Sequence, residues 1–138
     1  MTPVARQVVL VAGVVLVALA IATSLALGTI GWAAVGFGVM TDCTNEYSCT
    51  STGCPPCDTA SRWITTGGIA QLGLALAGVV VLVRGLRTAR TRAALPLMGV
   101  LLLASSAGVI TVTTSAAQAS YCRVDSPGYE QSYCSTDG

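Results

Sequence analysis

The chain contains no histidine and no lysine, a single phenylalanine, and only 9% charged residues, against about 25% in an ordinary soluble domain. Without histidine, neither a His-based catalytic triad nor a His-ligated metal centre can be assembled. The long apolar runs carry no Asp, Glu, Lys or Arg either. Ion pathways, proton relays and coupled carriers depend on ionisable groups inside the membrane, so their absence argues against a pump or a proton-coupled transporter. Three helices alone would also have to oligomerise before they could surround a path. The carboxylates Asp42 and Glu46 stand in a polar stretch with nothing to make them an acid–base pair and read as solvated charges. Ala, Val, Gly and Arg are abundant where Lys is missing, a usage that points to a GC-rich bacterial genome of actinobacterial type.

Hydrophobic residues make up 53% of the 138 positions, and the mean hydropathy is +0.72. This is a membrane composition. Three uncharged apolar runs stand out: Val8 to Leu27, continuing with interruptions to Met40; Ile69 to Val83; and Leu95 to about Ala119. Crossing the hydrocarbon takes about 20 mostly apolar residues as helix, since a spanning segment must satisfy its own backbone. The middle run reaches that length only with Thr65 to Gly68 included. The expected fold is therefore an all-α membrane protein of three transmembrane helices with a disulfide-stapled, irregular extracytoplasmic cap. Its segments are 1–7 inside, 8–40 as the first helix with a Gly-rich outer extension, 41–64 as a Cys-rich outer loop, 65–83 as the second helix, 84–94 as an inner Arg-rich loop, 95–119 as the third helix, and 120–138 as an outer tail. The first run is too long for one flat crossing, so a helix to about Leu27 followed by a looser stretch around Gly28, Gly31, Gly36 and Gly38 is expected. Its apolar length exceeds a signal-peptide core of about 7–15 residues, and no lipoprotein-type sequence precedes Cys43, which favours a retained span.

Arginine orients the helices. Arg84, Arg87, Arg90 and Arg92 lie between the second and third runs, and Arg6 precedes the first, whereas the other connecting segments hold only Arg62 and Arg123. The positive-inside rule places the N-terminus and the Arg loop in the cytoplasm, and the loop and tail outside. All six acidic residues fall outside with them: Asp42, Glu46, Asp58, Asp125, Glu130 and Asp137. Trp32 and Trp63 are expected in the outer aromatic belt. The inner arginines set topology and can meet anionic lipid headgroups; they do not indicate nucleic-acid binding. The expected location is a bacterial inner membrane.

Lipid offers no hydrophobic drive for helix association, so small residues that admit close backbone approach mark candidate contact faces. Ala18, Ala22 and Ala26 form one such stripe, Gly73 and Ala77 a second, and Ala107, Thr111, Ser115 and Ala119 a third. They would join the three helices to each other or to a partner subunit.

The six cysteines divide into Cys43, Cys49, Cys54 and Cys57 in the loop and Cys122 and Cys134 in the tail. An even number facing an oxidising space reads first as a disulfide framework, and six cysteines allow fifteen pairings. Cys122 with Cys134 is favoured by the turn at Ser126-Pro127-Gly128; in the loop, local, crossed and loop-to-tail bridges are all allowed. Each unstrained bridge would contribute about 2–4 kcal/mol. Cys49, Cys54 and Cys57 also have the spacing of a plant-type iron–sulfur loop, but an oxidising setting disfavours it. Cys54-Pro55-Pro56-Cys57 is a C-x-x-C pair suited to thiol–disulfide exchange. With the Cys43 and Cys49 pair beside it, the layout resembles that of quinone-linked disulfide-generating membrane proteins, which have more spans. That resemblance implies electron exchange between Cys54–Cys57 and a quinone, with Cys43 and Cys49 passing oxidising equivalents onward.

Tyr47, Tyr121, Tyr129 and Tyr133 add interface-type side chains to the outer segments. The composite expectation is a non-catalytic accessory subunit that docks on a larger membrane complex through its helices and cap, with no cofactor and no metal. The alternative is a thiol–disulfide oxidoreductase acting through Cys54 and Cys57.

Overall fold

The computed structural model describes residues 2–43 and 55–121, and these are helical almost throughout. Helix α1 (Pro3–Ala26) passes through a π-helical turn (Leu27–Gly31) into α2 (Trp32–Cys43). Helix α3 (Pro55–Arg87) returns antiparallel, a short α4 (Ala89–Arg92) turns the chain, and α5 (Leu95–Tyr121) runs back beside both. Three stretches are long and apolar enough to cross a membrane: Pro3–Phe37, Thr59–Arg87 and Leu95–Ala117. This is the architecture of a multi-pass membrane protein.

Local chemistry explains the ends. Thr2 caps α1 by accepting from the Ala5 N–H at 3.2 Å, and Pro3 follows, where a missing N–H costs nothing. Helix α3 likewise opens on Pro55 and Pro56. It ends where Thr88 turns extended, at φ −119° and ψ 122°. Arg92 Nη2 then donates at 3.0 Å to the Leu86 carbonyl, near the end of the finished helix, while Thr91 Oγ1 adds a donor at 3.1 Å to the Arg84 carbonyl that the Thr88 N–H already engages. The connection over residues 84–94, expected as a loop, is therefore mostly helix. Helix also enters the expected 41–64 segment from both sides, since α2 runs on to Cys43 and α3 starts at Pro55.

The expected looseness after Leu27 is replaced by the π turn, and the chain stays helical beyond it. The turn has a packing consequence. Gly13, Val17, Ala20 and Ser24 form the buried stripe of α1. At about 100° per residue, a regular helix would leave Trp32 roughly 80° off that stripe. One extra residue in the turn takes back about that rotation and returns Trp32 to the interior, where it is 4% exposed. Trp32 is thus a core residue rather than a member of an interfacial belt; Trp63, 40% exposed, remains at the surface.

The interior is built of large side chains seated on glycines. At the Arg6 end, Leu95 of α5 lies between Gly13 of α1 and Gly85 of α3: a Cβ on Gly13 would stand 2.5 Å from Leu95 Cβ, and one on Gly85 would collide with Leu95 Cδ2. At the next levels Leu16 covers Gly99, and Ile21 covers Gly78. At the far end the Trp32 indole fills the space over Gly67 and Gly68. Close backbone approach supplies the contacts that hydrophobicity cannot supply in lipid.

The two kinds of glycine should separate in a stability measurement. Gly67→Ala would place a methyl 2.5 Å from Trp32 Cζ2 and should cost about 1–3 kcal/mol by overpacking. Gly73 has nothing within 4 Å of an added Cβ, so Gly73→Ala should be neutral or slightly stabilising. Denaturation in a mild detergent, followed by helical circular dichroism, checks both.

Candidate functional site

Two features could carry function: a polar seam inside the bundle and an arginine-lined groove at one end. In the seam, Gln71 of α3 and Ser106 of α5, both fully buried, bond reciprocally. Gln71 Nε2 donates to the Ser106 carbonyl at 2.9 Å, and Ser106 Oγ donates to Gln71 Oε1 at 2.7 Å. The Gln71 Cβ also lies 3.2 Å from where a Gly28 side chain would begin, so the π turn packs directly against this pair. Ser24 Oγ and Trp32 Nε1 are buried and have no hydrogen-bond partner among the described residues. Threonine hydroxyls elsewhere donate back into their own helices, Thr29 to Leu25, Thr66 to Arg62 and Thr111 to Ala107, and so need no partner helix. The seam is a locking device, since it has one complete hydrogen-bond pair and no ionisable group.

The groove lies between the first turns of α1 and α4. Its cavity measures about 600 Å³ and is lined by Pro3, Arg6, Gln7, Val9, Leu10, Ala89, Arg92 and Ala93. Arg6 and Arg92 are 86 residues apart in sequence (92 − 6) and meet only because α5 and α3 bring α4 back beside the start of α1. Val4, Val8, Val11 and Val15 form an open apolar face of α1 on the far side of Gln7, turned away from Arg6.

The residues singled out from the sequence fall as follows. Ala18, Ala22 and Ala26, Gly73 and Ala77, and Ala107, Thr111, Ser115 and Ala119 are all exposed on the outside of the bundle. Of the two roles open to these stripes, joining the helices to each other or to a partner, the first is not seen among the described residues, which pack through Gly13, Gly67, Gly78, Gly85 and Gly99. The reason is size matching, because a glycine under a Leu, Ile or Trp allows closer approach than an alanine opposite another small residue. Arg84 and Arg87 close α3, and Arg90 and Arg92 lie in α4. Cys43 ends α2 and Cys57 stands in the first turn of α3. Cys49, Cys54, Cys122 and Cys134, and with them the disulfide framework, lie outside the described residues. The pairing of Gln71 with Ser106 was not anticipated; a lone amide in an apolar run signals that a partner exists but not which one.

No protein-family model, no curated protein and no solved structure matches this chain.

Replacing Gln71 by Leu, or Ser106 by Ala, should each destabilise the bundle by about 0.6–2 kcal/mol. The double variant should cost less than the sum of the two, because each single change orphans the other partner. A double-mutant cycle from denaturation in detergent measures that coupling.

Proposed function

We propose that this chain is a small, non-catalytic accessory subunit of a larger bacterial inner-membrane assembly, respiratory or devoted to envelope transport. The observation that carries the reading is the outward direction of the small-residue stripes. Ala18, Ala22 and Ala26, Gly73 with Ala77, and Ala107, Thr111 and Ser115 are exposed on the surface of the bundle, and among the described residues nothing lies within 4 Å of a Cβ added at Gly73 or Gly108. Such faces suit the close approach of a partner's helices. The bundle is also thin: the most apolar windows of the three spans bury only 22%, 22% and 17% of their residues. The uncharged interior and the missing histidine give such a chain no proton or electron chemistry of its own within the bilayer.

In this reading the Arg-rich end faces the cytoplasm and anionic headgroups, while the loop and tail form an extracytoplasmic cap stapled by the six cysteines. The cap, with its tyrosines and excess of acidic residues, grips the host's outer surface.

A second reading is favoured by the start of α3. Because Pro55 opens the helix, the backbone of Cys57 lies in its first turn, the end of a helix that in general favours an anion. Thiol–disulfide exchange at Cys54 and Cys57 is the function that placement supports.

Gentle detergent extraction of the tagged chain from its native membrane should recover a defined host assembly in stoichiometric amount by mass spectrometry. Ala22→Leu with Gly73→Leu should release that host while leaving the bundle folded. Recovery of the chain alone as a stable monomer would overturn the accessory reading.

The redox reading makes the opposite demand on the cysteines. Cys54→Ser with Cys57→Ser should then abolish envelope thiol oxidation and leave assembly intact. On the accessory reading the same variant changes no oxidation rate, and the bridges resist mild reductant.

A further inference from the structure

We propose that the groove between the first turn of α1 and α4 binds one anionic phospholipid, its phosphate held by Arg6 and Arg92 and its apolar part against Val9, Leu10 and Ala93. The inference rests on the bilayer reading of the spans and on no part of the accessory-subunit reading.

Charge is the first argument. Arginines from two elements, Arg6 of α1 and Arg92 of α4, line one cavity of about 600 Å³. The segments that form this end, residues 1–7 and 84–94, contain five arginines and no Asp or Glu. Their counter-charge must therefore come from outside those segments, and a bilayer offers it as phosphate. Guanidinium suits phosphate because its planar donors pair with two oxygens at once. The start of α1 adds the positive end of a helix dipole at the same place.

The walls decide between a lipid and a free anion. Val9, Leu10 and Ala93 line the groove beside the arginines, an apolar surface that inorganic phosphate would not use. Val4, Val8, Val11 and Val15 take no part, since at about 100° per residue they stand on the opposite face of α1 from Arg6. Cationic residues and an apolar wall thus meet in one groove, as the two ends of a phospholipid require.

The test uses the full chain in mild detergent, offered phosphatidylglycerol or phosphatidylcholine with the same acyl chains, with retained lipid counted by native mass spectrometry. Phosphatidylglycerol should be kept in preference, one per chain. Arg6→Gln and Arg92→Gln should each weaken that binding about fivefold. Arg90→Gln, which alters a residue of the same helix that does not line the groove, should leave it unchanged. Since Arg92 also braces the end of α3, Arg6→Gln carries the decision. Leu10→Gln, which makes the groove wall polar without altering charge, should reduce retention as well. Millimolar inorganic phosphate should not displace the lipid. Equal retention of the two lipids would overturn the proposal, as would an Arg90→Gln loss equal to that of Arg6→Gln. Displacement by inorganic phosphate would also overturn it, in favour of a free-anion site. A chain that keeps phosphatidylglycerol but co-purifies with no host would end the accessory reading and leave this one standing.

Discussion

The structure depends on close backbone approach at glycine. In lipid the tails are as apolar as leucine, so burying Leu95, Ile21 or Trp32 against another helix gains little by hydrophobicity alone. What is gained is dispersion, and it falls off within a fraction of an ångström of the optimal separation. Gly13 and Gly85 around Leu95, Gly99 under Leu16, Gly78 under Ile21, and Gly67 and Gly68 beneath Trp32 bring the helices to that separation at successive levels. A methyl group at most of these positions would push two helices apart along their whole length.

The π turn and the polar seam follow from this constraint. Among the described residues Trp32 is the one large aromatic in the interior, and it reaches the Gly67–Gly68 floor only because the wider turn at Leu27–Gly31 rotates it onto the buried stripe. Gly28 and Gly31 lower the steric cost of that turn, and Gly28 lets it lie against Gln71. With the backbones this close, Gln71 reaches Ser106 directly and the pair closes on itself. A complete hydrogen-bond pair of this kind fixes the register of α3 on α5.

The two ends of the bundle differ in kind. One is cationic and carries its own capping chemistry, since Arg92 both closes the carboxyl end of α3 and lines the groove beside Arg6. At the other, α2 and α3 carry helix beyond the apolar spans toward the cysteine-rich segments. Between the ends, the outer faces hold alanine, glycine, serine and threonine among the large apolar residues, a surface compatible with lipid.

The three helices were legible in the sequence because spanning is a property of length and composition within one segment. Val8 to Leu27, Ile69 to Val83 and Leu95 to Ala119 each reveal themselves without reference to the others. The interruption near Gly28 and Gly31 was legible for the same reason, though a π turn rather than a loose extension filled it. Which face turns inward was not legible. Ala18, Ala22 and Ala26 look as good a seam as Gly13, Val17, Ala20 and Ser24, because an uncharged helix has no polar side to mark its outside. That choice was made by Leu95, Ile21 and Trp32 finding glycines on other helices, a match between positions up to 82 residues apart (95 − 13). The meeting of Arg6 with Arg92, and of Gln71 with Ser106, was decided the same way. A single segment determines whether it crosses the bilayer; only the packing of three together determines which of its residues meet.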